Sequence, residues 1–266
     1  MVHGFIPPQR FFPYLTWPEV AALPDKANTV LIQPVAAIEQ HGHHLPLVVD
    51  TAIGMGVIGR ALTLLDPDIP AFALPPLCYG KSNEHWHFPG TITLSATTLM
   101  AVLTEVAESL YRAGFRKVVF SNSHGGQPQV IEIVARDLRQ RYDDFYLFPL
   151  AVWRVPHRAD HLIDPDELAN GLHGGDAETS MMLHLLPETV HMERAVKEYP
   201  PNFGSSLLSP EGSLPFAWVT RDLSTTGTIG DPLPATAAKG EALIQELAQG
   251  WVQVITEIHH FRSAQL

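Results

Sequence analysis

Thr29-Val30-Leu31-Ile32-Gln33-Pro34-Val35-Ala36-Ala37-Ile38 is the stretch on which the fold turns. It is apolar at nearly every position and does not alternate with polar residues, so both faces need covering. That is the pattern of a strand buried in a parallel sheet. Parallel neighbours require helical crossovers, and the chain supplies them in alternation. Thr51 to Leu65 reads as a helix rich in Gly and Ala, and Ile69 to Leu77 as a second, proline-interrupted strand or extended segment. Ser95 is a candidate cap for a helix in which Leu99, Leu103, Val106 and Leu110 recur at helical spacing, with Gly114 standing where a helix stops. Lys117 to Phe120 reads as a short strand, a helix carrying Val130, Val134 and Leu138 follows, and Phe145 to Trp153 is a further strand. Met181 to Leu186 looks like a buried helix, and a last helix runs from about Ala235 to Phe261. The alternation predicts an α/β fold with a mainly parallel sheet and helices on both faces.

A chain of 266 residues with 45% hydrophobic content can bury a sizeable core, and it fits one domain, 1–266, better than two. Its 17 basic and 28 acidic residues leave a formal charge of −11, which repels a phosphate backbone or an anionic membrane, and no run of Lys and Arg offsets it. Nucleic acid and membrane are therefore excluded as expected partners. Cys78, the single cysteine, rules out an internal disulfide or a thiolate metal cluster and fits a reducing cytoplasm. The amino terminus lacks the charged and apolar regions of a signal peptide. No run approaches the roughly eighteen apolar residues of a membrane span.

Just past the deciding strand, Ile38-Glu39-Gln40-His41-Gly42-His43-His44-Leu45-Pro46-Leu47-Val48-Val49-Asp50 packs five potential ligands together: Glu39, His41, His43, His44 and Asp50. Imidazole nitrogens mixed with carboxylate oxygens suit zinc, manganese or iron, whereas calcium and magnesium take oxygen. The same density also fits a solvated loop. A second cluster, Asn122-Ser123-His124-Gly125-Gly126-Gln127, follows the strand at Lys117 to Phe120. Its glycines let the backbone turn sharply and let a metal or small molecule come close, although a turn that merely contains a histidine reads equally well. Ligands in parallel sheets gather at the carboxyl ends of strands. The two clusters are therefore expected to converge.

Two further segments carry chemistry. Ser82-Asn83-Glu84-His85-Trp86-His87-Phe88-Pro89-Gly90-Thr91 puts His85 and His87 on one side of an extended chain, lining a pocket or donating to substrate, with Trp86, Phe88 and Pro89 packing. His173-Gly174-Gly175-Asp176-Ala177-Glu178-Thr179-Ser180 opens a helix, whose positive end its acids would favour. Alternatively Glu178 is a carboxylate ligand and His173 an acid or base with a pKa near neutrality. Pro200 to Pro234, rich in Pro, Gly, Ser and Thr, is too long for a connector and reads as a lid, an active-site wall or a subunit contact. No dinucleotide fingerprint, nucleotide-binding lysine motif, serine elbow or Cys-His pair occurs.

Taken in order, these segments resemble the creatininase family of metal-dependent amidohydrolases. Pro34 to Gly42 with His44-Leu45-Pro46 and Asp50 resembles the first metal motif, and Phe88-Pro89-Gly90-Thr91 the second landmark. Asn122-Ser123-His124-Gly125-Gly126 is similar to the Asn-Gly-His motif, His173-Gly174-Gly175 with Glu178-Thr179-Ser180 to the fourth, and Gly227 to Pro232 with Ala235-Thr236 and Lys239-Gly240 to the last. The resemblance implies a three-layer α/β/α sandwich, a homohexamer and two divalent ions, zinc or manganese with iron as a further option. Asp50 would bridge them, Glu39, His41 and His124 would be terminal ligands, and His173 would protonate the leaving nitrogen. His43 and His44 then take pocket or supporting roles, with Ser82, His85, His87, Gly125 and Gly126. In creatininase proper the Asn-Gly-His motif continues with an aromatic residue and a metal-binding glutamate, where this chain has Gly125 and Gly126. Glu178 is the expected replacement, by charge balance. The implied reaction is hydrolysis of a cyclic amide, creatinine or a related lactam. Deformylation, or cleavage of a modified peptide or cyclic ketone, is the alternative, and a non-catalytic metal-binding scaffold a third reading.

Overall fold

The structure, a computed structural model, describes residues 2–262, so Met1 and the last four residues of the expected domain lie outside it. Val30–Val35 forms β1, and every one of its residues is buried, as its unbroken apolarity requires. It pairs in parallel with β2 (Ala71–Ala73) on one side and β3 (Lys117–Asn122) on the other, in register from Val30 opposite Lys117 to Val35 opposite Asn122. β4 (Tyr146–Ala151) extends β3, giving a four-stranded sheet in the order β2-β1-β3-β4. Of the predicted strand or extended segment Ile69 to Leu77, only Ala71–Ala73 pairs as a strand. Pro75 and Pro76 follow Leu74 and bring no N–H to a ladder. The Gln33 amide, buried in β1, donates to the carbonyls of Pro34 and Pro75, each at 2.8 Å.

The helices are α1 (Trp17–Ala22), α2 (Val49–Leu64), α3 (Ala96–Arg112), α4 (Pro128–Arg141), α5 (Pro165–Asn170), α6 (Asp176–Leu185), α7 (Thr220–Leu223) and α8 (Ala237–His260). On one face, Leu99, Leu103 and Leu110 of α3 and Val130, Val134 and Leu138 of α4 pack against Leu31, Val118 and Phe120 of the sheet. α3 starts where expected, the Ser95 hydroxyl accepting from the Thr98 N–H at 3.1 Å, and Gly114 at φ +100° ends it. On the other face, Ile53 and Val57 of α2, Met181 of α6 and Leu247 and Trp251 of α8 cover Val30, Ile32 and Val119. Three layers result, as the resemblance implies.

Helix α2 is buried almost all round because it lies between the sheet and the α6–α8 pair. It begins two residues before the predicted Thr51, and this places Asp50 in its first turn. Helices α6 and α8 cross closely at Gly240, where a methyl group would overlap the Ser180 carbonyl. Among the described residues no helix is long and apolar enough to cross a membrane.

Candidate metal centre

The site stands at the carboxyl ends of β1 and β3. Leaving β1, the chain is pinned by an antiparallel bridge between Ile38 and Ile92, so Glu39, Gln40 and His41 turn inward. Gly42, at φ +76°, then reverses the backbone. Asp50 returns from the first turn of α2. His124 follows β3 by two residues, and the Asn122 side chain clamps its backbone, accepting from its N–H at 3.2 Å and donating to its carbonyl at 2.7 Å. His173 is fixed by paired backbone bonds with Ile229, at 3.0 and 2.7 Å. Glu178 sits in the first turn of α6, and its Oε2 accepts from the Gly174 N–H at 2.6 Å.

Asp50 divides its two oxygens between two histidines: Oδ1 lies 3.4 Å from His41 Nε2, and Oδ2 lies 3.4 Å from His124 Nδ1. Glu39 Oε2 is 3.1 Å from His124 Nδ1, and Glu178 Oε1 is 3.9 Å from His41 Nε2. Neighbouring ligands around a tetrahedral zinc with bonds of about 2.0–2.2 Å stand roughly 3.3–3.5 Å apart, so these spacings are those of ligand shells. The far nitrogens of both rings settle what the near ones carry. His41 Nδ1 faces the Glu39 carbonyl at 3.1 Å, and His124 Nε2 faces the Lys81 carbonyl at 3.0 Å. A carbonyl only accepts, so those nitrogens hold the hydrogen and the neutral ring turns a lone pair to the carboxylates. Lone pairs and carboxylate oxygens at such distances repel unless positive charge lies between them.

That charge is a proton or a metal ion. Burial pulls His41 down, but Asp50, Glu178 and Glu39 outweigh it and hold the ring at about 9. His124 is raised well above its ordinary value in the same way, burial being overcome by Glu39, Asp50 and Glu84. Asp50 is lowered because His41 and His124 override its burial, whereas burial and the neighbouring Asp50 raise Glu39. Glu39 Oε2, His41 Nε2, Asp50 Oδ2 and Glu84 Oε1 are all buried without a hydrogen-bond partner. Native interiors rarely leave such groups unpaired. Metal ions fit this donor set: Glu39, His41 and Asp50, and likewise Glu39, Glu84 and His124, offer ligand atoms within 4.8 Å of one another.

Beside these atoms three imidazoles are stacked. His173 lies between His41, at 4.0 Å between centroids, and His85, at 4.2 Å. Its Nε2 donates to the Gln40 carbonyl at 2.6 Å, which leaves an Nδ1 lone pair 3.8 Å from Glu39 Oε1. Burial, then the His41 charge, lowers it to about 4, so it is neutral near pH 7. His85 has the opposite arrangement. Its Nδ1 accepts from the Gln40 amide at 2.8 Å, so Nε2–H faces Glu39 Oε1 at 3.4 Å and braces that carboxylate.

Other expectations fare unevenly. His44 is buried behind the cluster, its Nε2 bonded to Thr179 Oγ1 at 2.9 Å, and burial lowers it to about 4. His43 points to solvent. The extended reading of Ser82 to Thr91 is corrected: Asn83–His85 is a 3-10 turn, so His85 is buried while His87 is exposed and Trp86 is 70% exposed. Ser82 stands at the start of that turn, accepting from the His85 N–H at 3.2 Å. Gly125 is exposed, and Gly126 lies against Glu84 and His124. The Pro200 to Pro234 segment serves as a wall, since Gly227 accepts from the Gln40 amide at 3.1 Å and Thr220 Oγ1 is 2.9 Å from His85 Nδ1. Sequence reasoning passes over Glu84, Gln40 and Thr220. Glu84 stands beside His85 in the Ser82 to Thr91 segment, and that adjacency is the signal for it.

Fold and site define a three-layer α/β/α protein with a histidine–carboxylate centre able to hold metal ions. The family described as Creatininase: Creatinine amidohydrolase matches residues 13–255. The chain is 32% identical over 260 residues to creatinine amidohydrolase of Pseudomonas putida, spanning 91% of this chain and 95% of that protein. It is also 32% identical over 230 residues to the mycofactocin precursor peptide peptidase of Mycolicibacterium smegmatis, spanning 83% and 82%. A creatininase solved in a manganese form superposes with a TM-score of 0.74 at 30% identity, covering 93% of this chain and 98% of that one. This chain belongs to the creatininase family, and it is an amidohydrolase of that family.

Proposed function

We propose that the chain hydrolyses the C–N bond of a cyclic amide, creatinine or a related lactam, in a dinuclear metal centre. The observation that carries this reading is Asp50, whose two buried oxygens are shared between His41 and His124. Asp50 would bridge two divalent ions, zinc, manganese or iron, with Glu39 and His124 holding one and His41 and Glu178 the other. Such a pair, when bound, acidifies a water and polarises the carbonyl it attacks.

The chain's own residues then handle the protons. The water oxygen bonds to the carbonyl carbon while His173 Nδ1 takes its proton. The C–N bond then breaks, and the same proton passes to the departing nitrogen. Nε2–H anchored on the Gln40 carbonyl keeps the lone pair facing the site throughout. His85 holds Glu39 in place and stays neutral, being buried beside other imidazoles. Two core clusters on the faces of one sheet support a single catalytic domain. Family resemblance supports a homo-oligomer, six copies in the first instance, and the lone Cys78 supports a reducing cytoplasm.

A modified peptide is the second reading, favoured by the peptidase relative at equal identity and by the exposed Gly125, where a side chain would meet open space. Turnover of creatinine, hydantoins, lactams, formamides and short peptides by metal-loaded protein decides between them. Ring opening of a cyclic amide supports the primary reading; cleavage confined to peptides replaces it. Fewer than one metal equivalent per chain after gentle purification defeats both.

A further inference from the structure

We infer that Glu84 completes the metal position built on Glu39 and His124, and that Gly126 is the residue that makes room for its carboxylate. This rests on the dinuclear reading and adds a ligand to it. Glu84 is only 8% exposed. Its Oε2 is held by Lys81 Nζ at 3.2 Å, and the same ammonium donates to the Gly126 carbonyl at 3.1 Å. Oε1 lies 3.0 Å from His124 Nε2. The hydrogen on that nitrogen is already directed to the Lys81 carbonyl, so Oε1 keeps no hydrogen bond. A buried carboxylate oxygen in that state calls for a cation, and Glu39, Glu84 and His124 already present atoms within 4.8 Å of each other.

Space makes the second half of the case. A Cβ on residue 126 would overlap Glu84 Oε1 and come within 2.5 Å of His124 Nε2. A side chain there and the Glu84 carboxylate exclude each other. Glu178 faces His41 on the other side of the site, at 3.9 Å, so the two acids serve different positions. Glu39, Glu84, Asp50 and Glu178 together bring as many negative charges as two divalent ions bring positive.

The test compares the zinc content of wild type, Glu84→Gln, Glu84→Ala and the double variant Glu84→Ala/Gly126→Glu, with far-ultraviolet circular dichroism as the check of folding. Wild type should hold two equivalents. Each single variant should hold one, or bind the second at least about tenfold more weakly in equilibrium dialysis, as loss of a metal-site partner commonly produces. In the double variant the side chain of residue 126 starts where the Glu84 carboxylate ended and carries its own carboxylate beyond that point, and the second equivalent should return. A folded Glu84→Gln protein that keeps two equivalents at unchanged affinity overturns the inference. So does a folded double variant that stays at one. Wild type with less than one equivalent instead defeats the dinuclear reading on which the inference stands.

Discussion

Metal uptake should strengthen steeply with pH, because ions must displace protons that the site otherwise holds. His41 titrates at about 9, and His124 well above its ordinary value, because carboxylates face a lone pair on each ring. Near pH 6 the metal-free site therefore carries a proton on both, and a metal must expel them. For His41 alone, each pH unit below 9 weakens apparent affinity about tenfold, so pH 6 to 8 spans roughly 100-fold, or about 2.7 kcal/mol. His124 steepens this. Zinc binding followed by calorimetry in buffers of different ionisation enthalpy should release more than one proton at pH 6.5. Stability without metal should move the other way. A folded pKa above the unfolded one contributes stability that is complete below about 6.5 and is lost as pH rises through 9, worth about 3 kcal/mol for His41. Chelated protein should melt about 6–12 °C lower at pH 9 than at pH 6 on this account, while loaded protein should not. Proton-free metal binding with flat affinity from pH 6 to 8 would refute the reasoning.

Three other outcomes are expected. His173→Ala should lower kcat by about 10²–10⁴ while both metals remain, if the ring carries the proton as proposed while standing beside the ligand atoms; parallel loss of metal on elemental analysis would make it a ligand. Asp50→Asn should release at least one ion and weaken the other, since the bridging charge is gone, and full occupancy would remove Asp50 from the bridge. Trp251→Ala should cost about 3–5 kcal/mol in denaturant unfolding, because the ring is fully buried in the core that α8 shares with the sheet and its Nε1 donates to the Val152 carbonyl; a cost under 1 kcal/mol would show that the site collapses around the gap.

The legible parts of this chain were those with one dominant period or one strong terminator. β1 and β3 announce themselves by unbroken apolarity, and α3 by its serine cap and final glycine. The placing of ligands beyond strand ends follows from parallel topology, so Glu39, His41 and His124 could be brought together from pattern alone. β2 shrank because prolines starve a ladder of donors, a local effect hidden by an apolar run. His87 was misplaced because a 3-10 turn replaces the two-residue alternation of an extended chain. The His41–His173–His85 stack joins residues from three distant segments, and nothing local encodes it.

His173 and Ile229 share a pair of backbone hydrogen bonds, so the backbone that carries the imidazole and the Pro200 to Pro234 wall are anchored to one another. One pair of main-chain bonds thereby sets the ring and the wall in a common frame.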